Sequence, residues 1–343
     1  MTIAATTLAI SLGELPWQVG HIFYFIVLPM LLVAGAGYLI QRTLGLDLQT
    51  LKRLNFYFVM PAIIYYSVVT STLTAAHVGE AILFALALFA CMSLLTLLVV
   101  RILKVPRHYR NTAVLTTALY NSGNYGLPLQ DRVFAEQNLS STAMSLQAVV
   151  MIAQNVLTFT VGIFVAAGGR KDRHWKANLL HIVKLPPIYA LAAAVITLQI
   201  RNLIGEVSPG VVHAIQPWWK ALMYVKEAFI GVALVTLGAQ LAAVKRGHAR
   251  YPVKLSVFLR LLIGPAMALG IIYAFGIRGL VAQVLLIASS APTAVNCMLL
   301  CLEFDNNPDY AATAVFYSSL LSPITGTLVI FLARGGLLPG FNL

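Results

Sequence analysis

The chain has 343 residues, is 59% hydrophobic and 10% charged, and carries a formal net charge of +12 with a mean hydropathy of +0.85. That balance excludes an ordinary soluble domain, and the length holds about ten spanning helices of roughly 20 residues with short loops and no extramembrane domain. Lys and Arg fall in loops between apolar runs rather than on one basic face, so nucleic acid is not the expected partner.

The N-terminal segment, residues 1–20, lacks a basic start, so no cleavable signal peptide is expected. The apolar runs predict spans over 20–41, 54–73, 78–102, 110–131, 142–167, 181–202, 217–243, 253–275, 278–301 and 309–334. Pro29, Pro61, Pro186, Pro187, Pro265 and Pro323 lie within them, so kinks are expected. Cys91, Cys297 and Cys301 read as small apolar core residues, and no Cys or His spacing suits a metal. Trp17, Trp218 and Trp219 fit an interfacial aromatic belt, and His77, His213 and His248 fit loops.

The loop charges alternate along the chain. Arg42, Lys52 and Arg53 follow the first span; Arg101, Lys104, Arg107 and Arg110 follow the third. Arg170, Lys171, Arg173, Lys176 and Lys184 follow the fifth; Lys245, Arg246, Arg250 and Lys254 follow the seventh. These are 16 of the 23 basic residues, and they place these loops in the cytoplasm and both termini outside. The acidic loop Glu303 to Asp309 lies on the same side, where carboxylates carry little topological weight.

Two stretches break the pattern. Asn121-Ser-Gly-Asn-Tyr-Gly-Leu-Pro128 interrupts the fourth span, and Ser289-Ser-Ala-Pro-Thr-Ala-Val-Asn296 the ninth. Their order is mirrored: Asn124 precedes Pro128 by four residues, and Pro292 precedes Asn296 by four. Arg110 stands fourteen residues before Asn124, and Arg278 fourteen before Pro292. Each half of the chain holds five spans and starts with opposite orientation, which permits an inverted repeat: residues 1–168, a short cytoplasmic linker at 169–180, and residues 181–343. The fourth and ninth spans then cross at their breaks, around Gly123, Gly126, Pro128 and Pro292.

A broken helix in hydrocarbon leaves backbone groups unpaired at several kcal/mol each, so it persists only in protein or beside a wet cavity. A single Gly/Pro kink is commonly a packing device. Two at matched positions in opposite halves point instead to a transporter's binding site. Half-helix N-termini present free N–H donors and partial positive charge, and Asn121, Asn124 and Asn296 add carboxamides. With Tyr125, Pro128, Pro292 and Thr293 they form the expected substrate site, and no Lys, Arg, Asp or Glu lies in either broken stretch. Such a site suits a small organic anion and not a cation or proton antiporter.

Other buried polar residues support it less directly. Gln154 and Asn155 lie in the middle of the fifth span, where an interhelical hydrogen bond accounts for them equally well. Gln240 lies near the cytoplasmic end of the seventh. Glu227 is the one acidic residue expected within a span and the evident proton-coupling candidate. Arg260 and Lys226 lie near enough to the interfaces to snorkel. No P-loop, GxSxG or HExxH is present, so no enzyme is expected; neither is a cofactor or metal, while sodium or proton coupling stays open.

Five motifs in order carry a family resemblance: Leu54-Asn-Phe-Tyr-Phe-Val-Met-Pro61, Asn121 to Pro128, Leu237-Gly-Ala-Gln-Leu, Arg260-Leu-Leu-Ile-Gly-Pro265 and Ala291-Pro292-Thr-Ala. Together they resemble the auxin efflux carrier family, which includes the plant PIN-formed carriers and belongs with the bile acid transporters in one superfamily. Only about ten residues join the fifth and sixth spans, so the chain looks like a bacterial member without the long plant loop. The resemblance implies an all-α membrane protein of ten helices in two inverted five-helix repeats. It implies a scaffold of helices 1, 2, 6 and 7, a transport body of helices 3–5 and 8–10, elevator movement and a homodimer. It also implies that Asn121 contacts a substrate carboxylate and that Gln154 lines the site. Phe159 stands where the plant carriers have Tyr. The alternatives are a sodium-coupled symporter of the bile-acid type, with Ser289, Ser290 and Thr293 as ligands but no carboxylate, and a non-transporting acid sensor.

Overall fold

A computed structural model describes residues 15–168, 186–204, 209–244 and 251–342. The predicted linker at 169–180, the basic residues Arg170 to Lys184, Lys245, Arg246 and Arg250, and His248 lie outside the described residues. Those described are helical, with one isolated two-residue bridge and no strand. In chain order the helices are α1 (15–44), α2 (48–70), α3 (Ala75–Ile102), α4 (Arg107–Ala118), α5 (122–134) and α6 (140–166). They continue with α7 (Pro186–Ile204), α8 (Pro209–Ala243), α9 (251–274), α10 (Gly279–Ser289), α11 (Val295–Glu303) and α12 (Pro308–Arg334).

Among the described residues, six helices are long and apolar enough to cross a membrane: Pro16–Leu44, Ala75–Ile102, Ser140–Ala166, His213–Ala243, Pro252–Ala274 and Pro308–Arg334. Large apolar side chains cover the outer surface, among them Trp17, Tyr24 and Phe25 on α1, Ile196 and Leu203 on α7, and Trp218 and Tyr224 on α8. In water such a surface drives aggregation; against lipid it needs no cover. The chain is a multi-pass membrane protein.

Three of the prolines expected to kink their helices, and Pro128 of the first break, each follow a widened turn. Phe23–Val27, Asn55–Val59, Ser122–Gly126 and Leu259–Ile263 are π-helical, and each ends two residues before a proline: Pro29, Pro61, Pro128 and Pro265. A proline ring collides with the carbonyl four residues back and offers no N–H to it. The π turn removes the conflict by shifting the preceding hydrogen bond one residue, as in Leu28 N–H to Phe23 O, Met60 N–H to Asn55 O and Gly264 N–H to Leu259 O.

Helices α1, α2, α7 and α8 pack on one another, with α1 running along α8. Their approach is close enough to require glycine on both sides. A Cβ at Gly37 would stand 2.7 Å from Val235 Cα, and one at Gly238 would stand 2.8 Å from Tyr38 N. The remaining helices pack around α6, α10 and α12, and the two groups touch where α2 meets α6, α1 meets α12 and α8 meets α5. The buried core there is Phe84, Leu88, Met92, Leu115, Leu146, Val284 and Ile330, each nearly inaccessible.

Candidate functional site

The two interruptions touch. Tyr120 and Thr293 form an antiparallel bridge; the Asn121 N–H donates to Pro292 O at 2.8 Å, and the Ala294 N–H donates to Leu119 O at 3.1 Å. Each break therefore supplies the backbone partners that the other lost, which is the condition for non-helical chain at membrane depth. Side chains reinforce the crossing. The Thr293 hydroxyl donates to Thr116 O at 2.7 Å, and Ser318 Oγ accepts the Thr293 N–H at 3.1 Å.

A layer of amides holds the first break from behind. Gln147 donates to Ser122 O at 2.9 Å, and Gln130 donates to Gln147 Oε1 at 3.2 Å and to Val284 O at 2.9 Å. Gly126 makes this possible, because a Cβ there would lie 3.0 Å from Gln147 Cδ. Neither Gln130 nor Gln147 figured among the expected residues; a glutamine inside an apolar span was the signal.

Beside the crossing lies a cavity of about 400 Å³. Tyr120, Asn121, Ser122, Gly123 and Asn124 form one wall, with Ala294, Val295, Asn296 and Leu299 beside them. Helix α6 contributes Met151, Gln154, Asn155, Thr158 and Phe159; α8 contributes Gln240; α2 contributes Gln49, Lys52, Arg53, Asn55, Phe56, Tyr57 and Met60. Of the expected site residues, the fold thus gathers Asn121, Gly123, Asn124, Gln154, Asn155, Gln240 and Asn296 around one space. Gly126, Pro292 and Thr293 stand at the crossing and Pro128 in the first turn after it, outside the cavity lining. Tyr125 is buried beside α12, its hydroxyl 3.4 Å from where a Cβ on Gly326 would lie.

The polar groups of the wall are under-used. Asn121 Nδ2, both polar atoms of Gln154, Gln240 Oε1 and Asn55 Oδ1 are buried without a protein partner. An unmet buried polar group costs about 1–3 kcal/mol, so such walls call for water or a ligand. By contrast, Asn55 Nδ2 donates to Asn124 Oδ1 at 2.8 Å, which ties α2 to the first break and orients that amide. In the first turn of α11 the N–H groups of Val295 and Asn296 have no intrahelical acceptor.

The charges at the site come from outside the broken stretches. Lys52 and Arg53 lie in the first turns of α2, whose start is capped by Asp47 accepting from Gln49 N–H at 3.0 Å. The Thr50 hydroxyl and that N–H hold the Asp47 carboxyl below its usual range. No Asp or Glu lines the cavity. Arg260 does not snorkel: it is fully buried, donates to Thr117 O at 3.1 Å and to Ser289 O, and places its guanidinium carbon 4.9 Å from the Tyr120 ring centre. The packing of α9 against α4 decides this, and periodicity along one helix cannot show it.

Glu227 lies elsewhere, exposed at a smaller space of about 160 Å³ shared with Lys226, Asp131 and Arg132. Asp131 is the buried acidic residue among those described: it accepts from Ser140 and pairs with Arg132 at 2.5 Å. No cluster of three metal-ligating side chains occurs among the described residues.

Residues 22–330 match the family of membrane transport proteins. The chain belongs to that family. Among curated relatives of this membrane transport protein, an uncharacterized transporter of Methanothermobacter thermautotrophicus is 29% identical over 214 residues, 62% of this chain and 64% of that one. The chain thus spans somewhat less than two thirds of that relative's length. An uncharacterized transporter of Methanocaldococcus jannaschii is 23% identical over 87% of this chain and 94% of its own length. Auxin efflux carrier component 1 of Arabidopsis thaliana is 30% identical over 111 residues, 31% of this chain and 18% of that one. The resemblance carried by the five motifs is borne out, and family and relatives are transporters rather than enzymes.

Proposed function

We propose that this membrane transport protein is a secondary carrier of small organic anions, carboxylates above all, which bind in the cavity beside the crossing. One observation carries the reading: the cavity is lined by two cations, Lys52 and Arg53, by eight carboxamide side chains and by no carboxylate. Asn121 and Gln154 carry the unmet donors, and the first-turn N–H groups of α11 add partial positive charge. A monovalent anion finds donors there without a full ion pair to break on leaving.

In this reading α4 with α5 and α10 with α11 are the two broken spans of a ten-span, inverted-repeat architecture, residues 1–168 and 181–343. The group α1, α2, α7 and α8 is the scaffold, through which a homodimer forms, and the other group moves against it as an elevator. Support comes from the close packing of α1 along α8 and of α2 against α7 within the first group. With the basic loops in the cytoplasm and both termini outside, the mouth near Gln49, Lys52 and Arg53 faces the cytoplasm of a bacterial inner membrane. An anion leaving an inside-negative cell moves downhill by about 2.3 kcal/mol per charge at 100 mV, so export needs no coupled ion.

The test is charge movement in proteoliposomes challenged with small mono- and dicarboxylates, with and without sodium and a pH gradient. A sodium-independent current for a defined acid is expected. A current only with sodium would replace this reading with a sodium symporter, and saturable binding without flux would make the protein an acid sensor.

A further inference from the structure

Arg260 is the one fully buried cation among the described residues, and no carboxylate stands within ion-pair distance of it there. Leaving a charge in such a place is expensive unless other groups solvate it. The groups that do so are specific. Thr117 O belongs to the last turn of α4, directly before the first break, and Ser289 O to the last residue of α10, directly before the second. The C-terminal ends of helices carry partial negative charge and carbonyls without intrahelical donors. One guanidinium therefore neutralises two converging helix ends. Its face lies on Tyr120, a wall residue of the cavity. Space has been kept for it: a Cβ on Gly264 would lie 2.7 Å from Arg260 Nη2. The hydroxyls nearby offer no alternative ligand set, because Ser289 and Ser290 donate back to Leu286 O and Ile287 O of their own helix.

We propose that Arg260 is a resident cation of the crossing: a positioning and specificity-determining residue that joins the two half-helix ends and holds a permanent positive charge behind the Tyr120–Asn121 wall. It fills the electrostatic place that a bound metal cation would otherwise have to fill. The cavity is thereby biased toward anions without recruiting sodium. This inference rests on the anion-carrier reading for its effect on substrate, and on the geometry alone for its effect on the fold.

Two experiments separate those parts. The first needs no substrate. Arg260→Ala removes the guanidinium and leaves a hole of its shape, so millimolar guanidinium ion should raise the melting temperature of Arg260→Ala and leave wild type unchanged, with urea as the control. A side chain that merely fills space predicts the opposite: no response to guanidinium, and full recovery of stability in Arg260→Met. Either result would overturn the proposal. The second measures binding of benzoate and succinate to wild type, Arg260→Lys and Arg260→Gln. Loss of the charge is expected to weaken binding about tenfold or more, with Arg260→Lys retaining much of the affinity. Wild-type affinity in a folded Arg260→Gln would overturn the specificity role. If wild type itself binds neither acid, the substrate reading fails, while the guanidinium experiment still decides the positioning role.

Discussion

The backbone N–H of Asn121 donates to the carbonyl of Pro292 at 2.8 Å. Proline has no N–H of its own to continue a helix, but its carbonyl is a full acceptor, so the second break supplies what the first lacks. Because the backbone of Asn121 is fixed in this way, its side chain is released from structural duty, and Nδ2 has no protein partner.

Asn121→Ala should therefore separate binding from stability. The melting temperature is expected to stay near wild type, since no protein hydrogen bond to that amide is lost. Affinity for a carboxylate that wild type binds should fall about tenfold, the scale of one hydrogen bond to a charged group. Calorimetric titration beside a thermal melt reads both, and a large melting loss with unchanged affinity would make Asn121 a packing residue.

Thr293→Val should do the reverse. It keeps the side-chain volume but removes the hydroxyl that binds Thr116 O at 2.7 Å inside the crossing. Leaving that carbonyl short of a donor costs about 1–3 kcal/mol. A clear drop in melting temperature is expected, together with weaker binding through a loosened wall.

Lys52→Gln with Arg53→Gln should slow anion entry and flatten its dependence on ionic strength. Arg53 is exposed and Lys52 half-buried at the mouth; such charges act by steering, which salt screens within about 10 Å at 0.1 M. Initial flux at low and high salt checks this: wild type should slow as salt rises, and the double variant should change little.

Gly238→Leu should destabilise the α1–α8 pair strongly. Even a Cβ meets backbone at Ala34 and Tyr38, and backbone cannot rotate out of the way. The cost is expected to exceed the roughly 1–3 kcal/mol typical of overpacking, visible as loss of monodisperse protein in detergent. Gly35→Ala, where nothing lies within 4 Å, is the matched control.

Orientation is tested by thiol labelling of intact cells. Gln137→Cys, on the exposed turn after α5, should react with an impermeant reagent from outside, and Asp305→Cys, between α11 and α12, only after permeabilisation. Native Cys297 and Cys301 are buried and should stay silent. The reversed pattern would invert the topology.

Much of the site was legible because hydrocarbon penalises local irregularity so heavily. Asn121, Gly123, Asn124 and Asn296 stand out in apolar runs, and the fold does bring them to one cavity with Gln154 and Gln240. Glu227 was legible as a charge but not as a location: its helix face leads to Asp131 and Arg132 rather than to the crossing. Arg260 was misjudged as a snorkelling residue for the same reason, because depth along one helix says nothing about which neighbours cover it.

The sequence by itself determined that the chain lives in a membrane, where its helices run, which loops carry its positive charge and where two helices must break. These follow from composition and from short-range rules of backbone satisfaction, which act within a few residues. Only the tertiary structure decided that the breaks pair through Tyr120 and Thr293, that Arg260 closes two helix ends at once, and that Lys52, Arg53 and Asn55 of α2 face the same cavity. Those contacts join residues far apart in the chain, and their partners are chosen by packing, which no local pattern encodes.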